Sequence, residues 1–291
     1  MPKISSRTAT LYLLLVSLIW GGTFPFIRNS VHYISPAGFV AIRFSVAALL
    51  LLPLALPRFK STQRPLLIAA IVLGLLTGIG YFAQTAGLQT ISSAQSAFIT
   101  ALAVILIPFF APFFGLGRPH LLEIVCAAGC LFGVYILTGA HLGHISQATL
   151  FADGLTFICA ITTALSIVYL QKISAKIHDY RLFIFYQILF SAFIPLGIFI
   201  DAGHTTIHWN AVLIVGLLYC ILLSTALTIY LQTKYQRYTT PTKTGIIFTM
   251  EPVFASLFAF LFNHEAITRS LLIGGGIILV SLLLSELKPK S

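Results

Sequence analysis

The sequence predicts an all-α polytopic membrane protein, with ten transmembrane helices arranged as two inverted five-helix repeats. Three observations lead there. Of the 291 residues, 58% are hydrophobic and only 8% are charged, with a mean hydropathy of +0.99. A soluble domain carries about 25% charged residues, so this chain cannot coat a water-soluble surface of its length. A soluble enzyme, a nucleic-acid binder and a disordered chain are excluded together. The apolar residues fall into ten runs separated by short polar or Pro/Gly-bearing breaks. The second half of the chain also resembles the first at a fixed offset.

Crossing a bilayer takes roughly 20 apolar residues, and ten such runs leave no room for a separate soluble domain within this length. The first run, 9–29, follows Lys3 and Arg7 as a signal peptide would. No small-residue cleavage site follows it, and the apolar run continues through Trp20-Gly21-Gly22-Thr23-Phe24-Pro25, so it is read as a span. The second, 36–57, opens on Pro36 and stops before Arg58, Lys60 and Arg64. The third and fourth, 66–88 and 91–114, are divided by a short polar break, and Arg118 separates the fourth from the fifth, 120–139. The sixth, 151–172, ends at Lys172 and Lys176, and the seventh covers 181–201. The eighth, 209–233, is closed by Lys234 and Arg237. The ninth and tenth, 240–262 and 267–286, complete the set.

Lys and Arg fix the orientation. With both ends cytoplasmic, 14 of the 17 lie in inside segments, Arg28 and Arg269 lie outside, and Arg43 lies within a span. The net charge of +10 therefore reads as topology, with anionic headgroups as its counterpart. The four cysteines, Cys126, Cys130, Cys159 and Cys220, sit inside apolar runs as small packing residues. The chain is expected in the cell (inner) membrane. It is read as a monomer, with a homodimer as the alternative.

The offset is 147 residues. It lays Ser92–Leu137 on Thr239–Leu284, with Ile99 on Ile246, Phe113 on Phe260 and Gly129 on Gly276. The first span meets the sixth at a shift near 143, which places Thr23 on Ser166. The repeats are expected at 1–145 and 146–291. An odd number of spans per repeat forces the halves into opposite orientations, a recurring design in secondary transporters.

Several stretches carry a family resemblance: Leu18-Ile19-Trp20-Gly21-Gly22-Thr23-Phe24 in the first span; Arg43-Phe44 after Pro36 in the second; Gly80-Tyr81-Phe82-Ala83-Gln84-Thr85-Ala86-Gly87-Leu88 followed by Ser92 to Thr100; and Met250-Glu251-Pro252-Val253-Phe254-Ala255 followed by Leu261-Phe262-Asn263-His264-Glu265. Together they resemble the EamA family of the drug/metabolite transporter superfamily over essentially the whole chain. Two positions depart from the family pattern: Arg118 stands where a Glu is frequent, and Thr163 where a Trp is common. The resemblance implies a ten-helix bundle whose spans 1, 3, 4, 6, 8 and 9 line a central cavity, with 5 and 10 peripheral. It also implies transport of amino acids, other small metabolites or toxic compounds.

Few residues inside the spans carry chemistry. Arg43 is either a counter-charge for a substrate carboxylate or phosphate, or a residue snorkelling to the outer headgroups. Glu251 is the most central carboxylate, beside Pro252, which favours a local break whose freed carbonyls could line a cavity. It is read as a contact for a substrate amine or as a proton-coupling site, against a structural carboxylate paired with Arg43 or capped by Thr249. Asp153 and Glu123 are read as helix N-terminal carboxylates. The uncharged polar set is Thr23, Gln84, Gln95, Thr100, Ser166, Thr228 and Gln232, with aromatic groups at Trp20, Tyr81 and Tyr230; Trp20, Tyr81, Gln84 and Gln95 are preferred as substrate contacts. Gly74–Gly78 and Gly129–Gly133 are read as packing surfaces inside the monomer. His141/His144 and His204/His208 have metal-compatible spacing without completing ligands, so they are read as solvated loops.

The expected function is a secondary-active, alternating-access transporter of small metabolites, amino acids or related amphipathic compounds foremost, driven by a proton gradient or by exchange. The expected partners are a small-molecule substrate and the lipid bilayer, with no nucleic acid. No Walker A motif is present and no cofactor is expected. A membrane enzyme acting on lipid-linked substrates is the alternative, but no H-E-x-x-H or G-x-S-x-G occurs. A channel or scaffold is the third reading.

Overall fold

The computed structural model describes residues 5–138, 146–203, 206–263 and 269–285, and among these every regular element is helical. Among the described residues seven helices are long and apolar enough to cross a membrane: Ser6–Ser30, Pro36–Ser61, Arg64–Gly87, Gln95–Phe114, Gln147–Lys176, Tyr180–Asp201 and Ala211–Tyr238. Two shorter helices, Leu121–Thr138 and Arg269–Ser285, are the fifth and tenth spans. The ninth is a broken pair, Pro241–Phe248 and Glu251–Asn263. This gives the ten-helix architecture read from the sequence.

Start signals are local. Ser35 accepts from the Gly38 amide ahead of Pro36, and Thr240 accepts from the Lys243 amide ahead of Pro241. The sixth span begins at Gln147, because Ser146 caps the Thr149 amide. That is earlier than the sequence places it. Asp153 therefore lies well inside the helix instead of at its N-terminus, correcting the expectation for that residue. Glu123 does lie in the first turn of the fifth span, and it also accepts a hydrogen bond from the Thr240 hydroxyl in the other half.

The packing repeats with the chain. The first span packs on the eighth and ninth as the sixth packs on the third and fourth. The third packs on the seventh as the eighth packs on the second, and the fifth lies along the tenth. Both halves also break their membrane helix at matching positions. The fourth span divides at Leu102, between Ser93–Ala101 and Ala103–Phe110, and the ninth divides at Thr249–Met250. Leu102 and Thr249 are 147 residues apart, which is the offset of the repeat.

The glycine motifs act within the bundle. A Cβ at Gly78 would collide with the Ser191 carbonyl, and one at Gly74 would press on the Gln187 carbonyl at 2.5 Å. Backbones of the third and seventh spans therefore meet directly. Gly133 plays the same part against the Gly274 carbonyl of the tenth span, and a Cβ at Gly129 would meet the Ser281 side chain there.

The eighth span holds a feature the sequence did not reveal. Residues Tyr219–Leu227 are wound as a π-helix between two α-helical stretches. Such wide turns shift backbone partners by one residue and recur at functional sites.

Candidate functional site

Two narrow cavities lie at the centre of the bundle. The first is bordered by Leu73, Leu76, Thr77, Gly80 and Tyr81 of the third span, Thr162, Thr163, Ser166 and Leu170 of the sixth, Ile229 and Gln232 of the eighth, and Gln187 of the seventh. The second is bordered by Ala97, Thr100 and Val104 of the fourth span and by Gly245, Phe248, Thr249, Glu251 and Pro252 of the ninth. Trp20 and Thr163 border both. Spans 1, 3, 4, 6, 8 and 9 supply this lining, joined by one residue of span 7. The cavities hold about 40 Å³ and 30 Å³ of water-accessible space. That is room for a few waters each, so the halves are closed tightly around the centre.

Trp20 and Thr163 are 143 residues apart, the offset that matches the first span to the sixth. Equivalent positions of the two repeats thus meet between the cavities, one with an indole and one with a small hydroxyl side chain. The indole is anchored. Trp20 Nε1 donates to Thr228 Oγ1 at 3.2 Å and to the Ser224 carbonyl at 3.4 Å, and its ring meets Phe248 edge-on at 4.9 Å.

Arg43 does not snorkel. Its side chain is fully buried, which removes that reading. Its Nε donates to Thr225 Oγ1 at 2.7 Å, and Nη2 donates to the Ser224 hydroxyl at 2.8 Å and to the Ser224 carbonyl at 3.1 Å. The π-helical turn explains this geometry. It presents the Ser224 carbonyl to Arg43, Trp20 and Thr228 together. The guanidinium lies 4.5 Å from the Tyr81 ring centroid, and Tyr81 lines the first cavity. Arg43 therefore stands one side chain behind the cavity wall, with Nη1 buried and without a hydrogen-bond partner among the described residues. The alternative reading of an Arg43–Glu251 pair is not met; the ion pair between described side chains is Arg58–Asp179 at 3.2 Å.

Glu251 opens the second half of the broken ninth span and faces the second cavity, half-buried. The break precedes it, at Thr249–Met250, so that Pro252 falls in the first turn of the new helix. The alternative reading of a cap from Thr249 is not met either, because that hydroxyl donates to the Ile246 carbonyl at 2.6 Å. The repeat-equivalent of Glu251 is Val104, which borders the same cavity. Only one half carries the carboxylate.

The other expected contacts divide. Ser166 and Tyr81 line the first cavity. Thr23 is buried and spends its hydroxyl on the Trp20 carbonyl at 2.6 Å, across Gly22, where the first span divides into Ser6–Gly21 and Thr23–Ser30. Gln84 joins spans 3 and 4 through Thr100 Oγ1 at 3.0 Å. Gln95 donates to Asp153 Oδ1 at 2.7 Å, away from both cavities. Tyr230 faces outward, 37% exposed, and accepts from Lys234 Nζ at 3.1 Å. None of these four borders either cavity: Thr23 bonds within its own span, Gln84 and Gln95 reach neighbouring helices, and Tyr230 turns outward. Thr163, marked in the sequence only as a departure from the family pattern, and Gln187, which drew no attention there, border the first cavity, while Ser224 and Thr225 hold Arg43 behind it. The buried Gln187 Oε1 has no partner among the described residues.

Comparison with known proteins then decides the class. The EamA-like transporter family matches residues 7–139 and 150–287. The chain belongs to the EamA-like transporter family. An uncharacterized transporter of Archaeoglobus fulgidus is 28% identical over 284 residues, covering 96% of this EamA chain and 86% of the relative. The uncharacterized transporter YoaV of Bacillus subtilis is 24% identical, covering 90% and 91%, and YvbV of the same organism is 26% identical, covering 100% and 94%. A solved crystal structure superposes with a TM-score of 0.79 at 17% identity, covering 96% of each chain, a likeness of fold. This EamA protein is a multi-pass membrane transporter. Among its described residues no three His, Cys, Asp or Glu side chains gather as a metal site; His141, His144 and His204 lie outside them.

Proposed function

We propose that this EamA protein is a secondary carrier of small amphipathic metabolites, amino acids foremost, which it moves unchanged by alternating access. The observation that carries the reading is the presence of one buried cation and one half-buried carboxylate, unpaired with each other, around a centre of aromatic, aliphatic, hydroxyl and amide side chains. Arg43 lies behind Tyr81, and Glu251 lies on the opposing ninth span. A zwitterion suits such a site, its carboxylate drawn toward the Arg43 field and its ammonium toward Glu251. Trp20, Tyr81 and Ser166 would border the substrate, and Thr23, Gln84 and Gln95 would hold the surrounding helices in place. Glu251 is proposed as the site where a proton or the substrate amine is exchanged, which couples flux to a gradient.

The repeats at 1–145 and 146–291 would rock about Trp20 and Thr163. The inner membrane, cytoplasmic termini and a monomeric carrier belong to the same proposal. A screen of purified protein for thermal shifts on a metabolite panel would name the ligand. Hits would then be tested for uptake into liposomes with and without a pH gradient. Stimulation of uptake by substrate on the far side marks a carrier, whereas flux with no such stimulation would fit a channel and sink the proposal.

A further inference from the structure

A groove of about 810 Å³ lies apart from the central site, between the end of the second span, the connection from the sixth to the seventh, and the end of the eighth. Arg58, Arg181, Lys234 and Arg237 converge on it from these three places. Its one lining carboxylate, Asp179, is already committed. Oδ1 accepts from the Arg181 and Leu182 amides at 3.0 Å and 3.2 Å, and Oδ2 pairs with Arg58 at 3.2 Å. The groove is therefore left with an excess of cations.

Topology alone asks for positive charge at this end, but not for its concentration in one place. Here two of the cations are held in position. Arg237 Nη1 donates to the Tyr180 hydroxyl at 2.7 Å, with its guanidinium 5.1 Å from the Tyr238 ring. Lys234 lies between the Tyr230 and Tyr235 rings at 5.3 Å and 5.2 Å. The Tyr180 and Tyr230 phenols accept from these cations and keep their own O–H to donate.

The surroundings select the occupant. From Lys234 the eighth span leads back into the bilayer through Tyr230, Leu227 and Leu223, all exposed along one stripe. From Arg58 the second span leads back through Leu54 and Leu50, 49% and 52% exposed. Two apolar tracks that rise from the membrane into a cationic, phenol-bearing groove fit an amphiphile with a negative head. We propose that this groove binds the phosphate-bearing headgroup of an anionic phospholipid, with its acyl chains on the two leucine stripes.

The test uses the full-length protein in nanodiscs of phosphatidylcholine, alone or mixed equally with phosphatidylglycerol. The wild type is expected to unfold at a higher temperature in the mixed discs and to retain phosphatidylglycerol in native mass spectrometry. The Lys234→Gln/Arg237→Gln double variant should lose both responses. Arg118→Gln/Lys176→Gln, which removes exposed cations that do not line the groove, should keep them. No response in the wild type, or equal responses in both double variants, would overturn the proposal. A third arm adds glycerol phosphate to phosphatidylcholine discs. Stabilisation there without lipid retention would reassign the groove to a soluble anion and overturn the lipid reading.

Discussion

Arg43 is the residue on which the substrate proposal turns. Its charge sits in the bundle without a carboxylate partner, fixed by Ser224 and Thr225 and screened from the cavity by the Tyr81 ring. A direct hydrogen bond to a charged group contributes about 1.5–3 kcal/mol, an upper bracket for a charge acting through the Tyr81 ring, and each 1.4 kcal/mol is tenfold in affinity. With the contact indirect, the lower end applies. Arg43→Gln should raise the apparent KM for a carboxylate-bearing substrate about tenfold, while an amide analogue of that substrate is unaffected. Equal losses for both compounds in liposome uptake would mean that Arg43 only holds the eighth span. Glu251 makes a separate prediction. Glu251→Gln should abolish the stimulation by a pH gradient yet leave counterflow measurable, because Gln keeps the shape and cannot take up a proton. An unchanged response to the gradient would remove the coupling role. Both residues were legible in the sequence, since an ionisable group within a span is costly and so stands out. Tyr230 shows the limit of that reading. It lies on a cavity-lining span, but its neighbours Ile229 and Gln232 take the inward face, and composition alone cannot supply that phase.

At the scale of the helix, the breaks and the close approaches do the positioning. Most span boundaries were legible because Pro36, Pro241 and clusters of Lys and Arg punctuate them; the start of the sixth, set by the Ser146 cap, was not. The π-helical turn at Tyr219–Leu227 was not, because it changes hydrogen-bond partners without any Gly or Pro to announce it. Consequently Ser224 and Thr225, the partners of Arg43, went unremarked. Glycines allow a direct test of helix contact. Gly78→Ala must displace the Ser191 backbone and should cost about 1–3 kcal/mol, as overpacking does. Gly154 has open space around its α-carbon in the sixth span, so Gly154→Ala should be neutral or stabilising by up to about 1 kcal/mol. Thermal unfolding in one detergent compares the two, and a Gly78→Ala protein as stable as the wild type would contradict the direct packing of the third span on the seventh.

At the scale of the molecule, the repeat was faint in sequence, where a few identities between apolar stretches carry little weight. It is plain in the packing and in the matched breaks at Leu102 and Thr249. Orientation is the property most open to test. A reporter fused near Ser61 should be cytoplasmic, and one near residue 204 should be external; reversal at either position would overturn the inside-positive assignment. The centre of the molecule also has a consequence for the transport cycle. In a rocking carrier made of two identical inverted halves, the inward-open and outward-open forms are images of each other and equally populated. Trp20 and Thr163 break that equivalence, since an indole anchored to the eighth span on one side is answered by a small hydroxyl on the other. If the carrier rocks as proposed, the empty form is expected to have a preferred resting side. Each 1.4 kcal/mol of difference tilts that preference tenfold, and Thr163→Trp, which adds matching bulk to the second half, is the substitution expected to move it toward balance.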